Sequence, residues 1–260
     1  MRLKKKILII GKNGLIGKNL FNYFKSKKIN IYRIGFKSFL KNKNINNFDI
    51  IINCTSNHKF VKNKYENKND NDLIIAEKII NLKTKLVMLS TRKIYKTKFN
   101  IKELDKKEPN CNYSKNKIIS EISVRKILAN KVLILRISNI ISYPNSNKRK
   151  LHKTFSDIFF EMAKKGFIYK NNKAYKDFIS IKKFNQIVLE LIKKNSFGLF
   201  VYYCKYACSL DSGLQRIFRL INLLYVFFFS SIRRHTRSDR DCSSEVCSFI
   251  MFFHLTSSYL

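Results

Sequence analysis

Ile7-Leu8-Ile9-Ile10-Gly11-Lys12-Asn13-Gly14-Leu15-Ile16-Gly17 is the stretch that decides the fold. Four consecutive apolar residues suit a parallel strand buried on both faces. They run into three glycines spaced three apart. Ile16, Leu20 and Phe24 then recur every fourth residue and predict one face of a helix. Glycine permits a tight turn and lets a phosphate come close to the backbone. The free amides and dipole of the helix that follows attract a pyrophosphate. The whole reads as the strand–turn–helix unit of a dinucleotide site.

The rest of the chain repeats the alternation. Strands are expected at Ile29–Ile34, Asp49–Asn53, Leu86–Leu89 and Val132–Ile137. Between them, Lys37–Asn47 is polar and reads as a loop. Leu73, Ile74, Ala76, Ile79 and Ile80 give one helical face, and Ile118, Ile122 and Leu128 another within Ser114–Ala129. Strands alternating with helices imply a parallel sheet covered on both sides.

The formal net charge is +36 over 260 residues. Such a balance raises nucleic acid or an anionic membrane as a partner. Here the lysines are spread over every segment up to Lys194 and mixed with asparagine, isoleucine and phenylalanine. All four have AT-rich codons, so codon bias accounts for the mixture. No aromatic–basic motif accompanies the charge, and no nucleic-acid partner is expected. The apolar run after Met1–Lys6 is too short for a signal peptide, so a cytoplasmic protein is expected. Cys54 and Cys111 read as reduced thiols, with no metal-ligand spacing.

Ser90 and Thr91 fall where a strand meets its loop, the place where ligands bind open α/β sheets. Further on, Tyr113 and Lys117 are four apart, which puts them on one helical face. An ammonium beside a phenol lowers its pKa, and a tyrosine so tuned can exchange a proton with a substrate hydroxyl.

With these residues in this order, roughly residues 5–198 resemble the extended short-chain dehydrogenase/reductase family. These are NAD-dependent epimerases, dehydratases and 4-keto-sugar reductases, including dTDP-4-dehydrorhamnose reductase-like proteins. Further matches are Asn69, the strand Leu86–Tyr95, the group Glu103, Pro109 and Glu121, the run Leu135–Asn139, and Asp177–Ile181. The resemblance implies a Rossmann-type doubly wound parallel sheet, with its C-terminal substrate part truncated. It implies Tyr113 as general acid/base. Lys117 would lower the tyrosine pKa and hold the nicotinamide ribose. Thr91, selected over Ser90 by alignment on Tyr95, would orient the substrate oxygen. Gly11, Gly14 and Gly17 would carry the pyrophosphate of NAD or NADP, and Asn139 would contact a nucleotide-sugar substrate.

The chain also departs from the pattern. Arg33 stands where an acidic residue would hold an adenosine ribose, which leans towards NADP. The segment before Asp49 is short, so one strand–helix unit is expected to be trimmed. Lys182 and Lys183 replace acidic residues. Epimerase, dehydratase and reductase stay open, and so does a homodimer. A non-catalytic NAD(P)-binding regulator of the same fold is the alternative.

Composition changes after Phe200. Lysine and asparagine almost vanish, and four of the six cysteines lie beyond it. Asp241–Ser248 reads Asp-Cys-Ser-Ser-Glu-Val-Cys-Ser. A common sequencing adapter translates as Asp-Trp-Ser-Ser-Asp-Val-Cys-Ser, one base change away at each of the two differences. We therefore expect an NAD(P)-binding domain with a partial substrate region over residues 1–200, with no membrane partner. Residues 201–260 are expected to be a frame-shifted or adapter-derived tail, and no zinc site is assigned to their cysteines. Resequencing the source DNA across codons 190–260 is expected to replace the tail by a lysine-rich frame; the same tail in genomic DNA overturns this expectation.

Overall fold

Isoleucine dominates the central strands, and β-branched side chains pack well on a pleated surface. In a computed structural model, which describes residues 4–96, 101–142 and 178–202, these strands form one six-stranded parallel sheet. The strands are β1 (Ile7–Ile10), β2 (Ile31–Ile34), β3 (Ile50–Asn53), β4 (Lys85–Thr91), β5 (Val132–Ile137) and, last in the chain, β8 (Gly198–Tyr202). Their order is β2-β1-β3-β4-β5-β8. Two short strands, β6 (Asn139–Ile141) and β7 (Phe178–Ser180), pair separately in parallel. The described residues belong to one compact unit.

Side chains alternate across a strand, so each strand feeds two cores. Ile7, Ile9, Ile50, Ile52, Val87, Leu133 and Leu135 pack on one face with Leu20 and Phe24 of α1 (Leu15–Ser26). Phe184, Val188 and Ile192, which lie in the helix Ile181–Lys193, join the same core. Leu8, Ile10, Ile51, Leu86, Met88, Val132 and Ile134 pack on the other face. There they meet Phe39 of α2 (Phe36–Lys41), Ile75, Ala76 and Ile79 of α4 (Asn71–Ile79), and Val124 and Leu128 of α5 (Asn112–Leu128). A short α3 (His58–Lys62) lies between β3 and α4, and Ile181–Lys193 is α6. This is the doubly wound α/β sheet expected from the sequence.

Three expectations need correction. Lys37–Asn47 is not a loop throughout: α2 and a turn of 3-10 helix at Ile45–Asn47 occupy it, and Phe39 and Ile45 are buried. Two anchors among many lysines were too sparse for a periodicity. On α4, Ile80 lies beyond the helix's last turn and is exposed, while Ile75 is buried. On α5, Ile122 is 58% exposed, and the buried stripe is Ser114, Asn116, Lys117, Ser120, Glu121, Val124 and Leu128. β2 is the outermost strand beside β1.

The glycines of the first turn differ in what they do for the fold. Gly11 adopts a φ of +126°, a region L side chains rarely enter. A Cβ on Gly17 would sit 2.3 Å from the Gly11 carbonyl oxygen, so only glycine lets α1 lie this close to the end of β1. Gly17→Ala is expected to cost on the order of 1–3 kcal/mol, the range for overpacking, read as a lower urea midpoint; an unchanged midpoint would show that the turn relaxes around a methyl group.

Candidate active site

Parallel strands bring their C-terminal ends to one edge of the sheet. Along this edge lie Arg33 near the end of β2, Gly11 directly after β1, Asn53 at the end of β3, and Thr91 at the end of β4. Asn139, two residues past β5, opens β6 opposite Phe178 and is half-buried. Asp177, the first residue of its expected motif, lies outside the described residues, as does the chain beyond Tyr202.

Gly14 is the N-cap of α1, with no side chain capping the helix and no acidic residue in its first turn. A Cβ on Gly14 would meet nothing nearer than 3.8 Å, at the Cys54 carbonyl oxygen. The fold thus has no steric need for glycine here, whereas an anion approaching the uncapped amides does. Arg33 stacks its guanidinium on the Phe21 ring, Cζ to centroid 4.6 Å, and its buried Nη1 has no hydrogen-bond partner. An unpaired guanidinium N–H beside a helix that favours anions suits a phosphate.

Thr91 is buried, and its Oγ1 accepts from the Lys93 N–H at 3.2 Å, capping the turn Arg92–Ile94. Ser90 is committed elsewhere: its Oγ donates to Glu121 Oε1 at 2.5 Å. Glu121 also receives Nε and Nη2 of Arg136, which is 1% exposed. Arg136 Nη1 reaches the Tyr95 hydroxyl and the Glu103 carbonyl oxygen. The Glu103 carboxylate in turn accepts from the Val201 N–H of β8 at 3.0 Å. Every nitrogen of the buried guanidinium is therefore paired, and the network joins β4, β5, α5 and β8.

Tyr113, Lys117 and Glu121 follow one another at intervals of four along α5. Lys117 is buried, and its Nζ donates to Asp72 Oδ2 at 2.7 Å. Asp72 lies in the first turn of α4, and its Oδ1 accepts from Asn53 Nδ2 at 2.7 Å. Burial works against the Lys117 ammonium, but Asp72, Tyr113 and Asp70 outweigh it and hold the pKa above that of an ordinary lysine. Burial pushes the Tyr113 phenol up; Lys117 pulls it down, and Asp72 and Cys111 push it up again. The net direction is up. Lys117 thus lowers the tyrosine pKa as expected, but burial first, and then Asp72 and Cys111, outweigh it. Burial and then Asp72 raise the Cys54 thiol as well, so that thiol stays protonated.

Sequence reasoning missed Asp72 and Asn53. An aspartate in a helix's first turn ordinarily reads as a partner of the helix dipole, and that reading hid its pairing with a lysine on another helix. Among the described residues, no group of three or more His, Cys, Asp or Glu side chains is placed to hold a metal. Among the same residues, no helix is long and apolar enough to cross a membrane.

The sequence profile of the family described as RmlD substrate binding domain matches residues 5–165. No curated protein matches the chain in sequence. Among solved structures, a dTDP-4-dehydrorhamnose reductase from Clostridium acetobutylicum is 21% identical, with a TM-score of 0.67 over 84% of this chain and 80% of its own. The same enzyme from Bacillus anthracis, in complex with NADP, is 19% identical, with a TM-score of 0.66 over 85% and 82%. A dTDP-glucose 4,6-dehydratase from Bacillus anthracis, in complex with NAD, is 16% identical, with a TM-score of 0.66 over 84% and 81%. At these identities the likeness is one of fold.

Proposed function

The chain belongs to the RmlD substrate-binding-domain family, and from that membership we propose that it is an NAD(P)-dependent enzyme acting on a nucleotide-activated sugar. Of oxidoreductase, epimerase and dehydratase chemistry, carbonyl reduction is the reaction its site supports best. What supports the reading is what lies at the C-terminal strand ends: an uncapped glycine turn after β1, Thr91 at the end of β4, and Lys117, which Asp72 joins to Asn53 at the end of β3. A cytoplasmic enzyme fits this reading.

In this reading Gly11, Gly14 and Gly17 leave room for the coenzyme pyrophosphate at the N-terminus of α1. Arg33, with its unpaired Nη1, favours the extra phosphate of NADP. Lys117 reaches the nicotinamide ribose. When bound, the coenzyme supplies or accepts the hydride. The chain supplies the proton and the position. Thr91 Oγ1 holds the sugar carbonyl oxygen, and Tyr113 gives that oxygen its proton as the carbonyl carbon is reduced. Tyr113, like any tyrosine, carries its proton at neutral pH, and burial first, then Asp72 and Cys111, raise its pKa further. Asn139 contacts the substrate.

A second reading is a non-catalytic NAD(P)-binding regulator. The buried Lys117–Asp72 pair is compatible with it, since such a pair can also serve as a structural anchor. Tyr113→Phe separates the two. For the enzyme, turnover of a 4-keto nucleotide sugar falls by about 10²–10⁴-fold while NADPH binding is retained. For the regulator, biological output is unchanged. Gly14→Ala tests the cradle: stability should change by less than about 1 kcal/mol, as for an N-cap exchange. NADPH affinity should fall by about tenfold, and an unchanged Kd would remove the pyrophosphate from this turn.

A further inference from the structure

Asp72 is held from both sides. Its Oδ1 takes the Asn53 amide and its Oδ2 takes the Lys117 ammonium, each at 2.7 Å. Asn53 is itself fixed, because its Oδ1 accepts from the N–H and the hydroxyl of Thr55. The Asp72 backbone N–H is tied to Asp70 Oδ1 at 3.0 Å. The carboxylate and the ammonium are 4% and 5% exposed, so water screens neither. Lys117 Nζ also lies over the Phe60 ring at 5.4 Å. The ammonium that faces Tyr113 is thus anchored from the end of β3 and the start of α4.

We propose that Asp72 is a positioning residue: it fixes the Lys117 ammonium one turn along α5 from Tyr113 and answers part of its charge, so that Tyr113 has beside it a paired ammonium rather than a lone one. The proposal rests on the reading of Tyr113 as the acid/base group. The charged and titratable groups around the pair agree with it. Tyr113 is faced by Lys117 on its own helix, by Asp72 from α4 and by the Cys111 thiol at the helix N-cap. Lys117 is faced by Asp72 and Asp70 from α4 and by Tyr113. The Cys54 thiol, after β3, lies beside Asp72 and stays neutral. Lys117 is the cation of this set, and Asp72 is its contact partner.

The consequence is a pH range, not a direction of reaction, because the overall equilibrium belongs to the reactants. A tyrosine beside an unanswered ammonium loses its proton earlier as pH rises, so reduction would fall away sooner. With Asp72 in place the donor stays loaded further into the alkaline range.

The test is the phenolate absorbance of the full chain, titrated with pH and differenced against Tyr113→Phe so that one tyrosine is seen. In the parent protein Tyr113 is expected to titrate above a free tyrosine. In Asp72→Asn it is expected to move down by about one pH unit or more, the usual size for loss of a near charge. A parent Tyr113 at or below the free value overturns the proposal, and so does one unmoved in Asp72→Asn. A merely structural aspartate would change the melting temperature and leave this titration where it was. If Asp72→Asn does not fold, a parent Tyr113 at or below the free value still overturns the proposal, and Asp72→Glu, which keeps the charge, is expected to leave the titration in place. NADPH binding by the parent protein, followed by nicotinamide fluorescence, keeps the two readings apart. The titration shift without binding sinks the nucleotide-sugar reading and keeps the Asp72 coupling; binding without the shift does the reverse.

Discussion

A guanidinium sealed inside the sheet sets the terms for the rest of this fold. Among the described residues, Arg136 is the largest of the fully buried side chains. An ion taken out of water costs several kcal/mol unless its partners are placed well. Glu121 answers its charge, and the Tyr95 hydroxyl and the Glu103 carbonyl take the remaining nitrogen. Removing one partner of such a pair costs about 3–5 kcal/mol, because the other is left charged and alone. The pair therefore allows α5 one register on the sheet. Lys117 lies one turn before Glu121, so the register that satisfies Arg136 also brings Lys117 to Asp72, and through it to Asn53 at the end of β3.

That arrangement explains which parts of the molecule were legible in the sequence. β1, β3 and β5 were legible because Ile7–Ile10, Ile50–Ile52 and Val132–Leu135 put apolar residues on both faces, and an unbroken run of Ile, Leu and Val has few other uses. The glycine turn was legible because Gly11 and Gly17 answer steric demands that no other residue meets. The orientation of α5 was not. Its inward stripe is Ser114, Lys117, Ser120 and Glu121, while Ile119 and Ile122 face outward. Apolar periodicity assumes that a helix buries its greasy side. A helix that turns its charged groups inward breaks that assumption.

Asp72 shows the same limit from the other side. The chain has 53 basic and 17 acidic residues, so a lysine has little statistical weight and an acidic residue is scarce. Glu121 could be found through its spacing from Tyr113 and Lys117. Asp72 could not, because its partner is on a different helix and its spacing means nothing until α4 and α5 are packed together. In this composition, the few carboxylates buried against cations carry more positional information than the many cations do.

The order of the residues around Arg136 also sets a timetable. Tyr95, Glu103 and Glu121 all precede it in the chain, so a nascent polypeptide holds every partner of the guanidinium as soon as β5 has left the ribosome. β8 comes much later, and until it arrives the outer edge of β5 has no neighbour. Glu103 Oε1 then receives the Val201 N–H as β8 docks. The charged centre can be complete before the sheet is, and the strand added last registers on a carboxylate already in place.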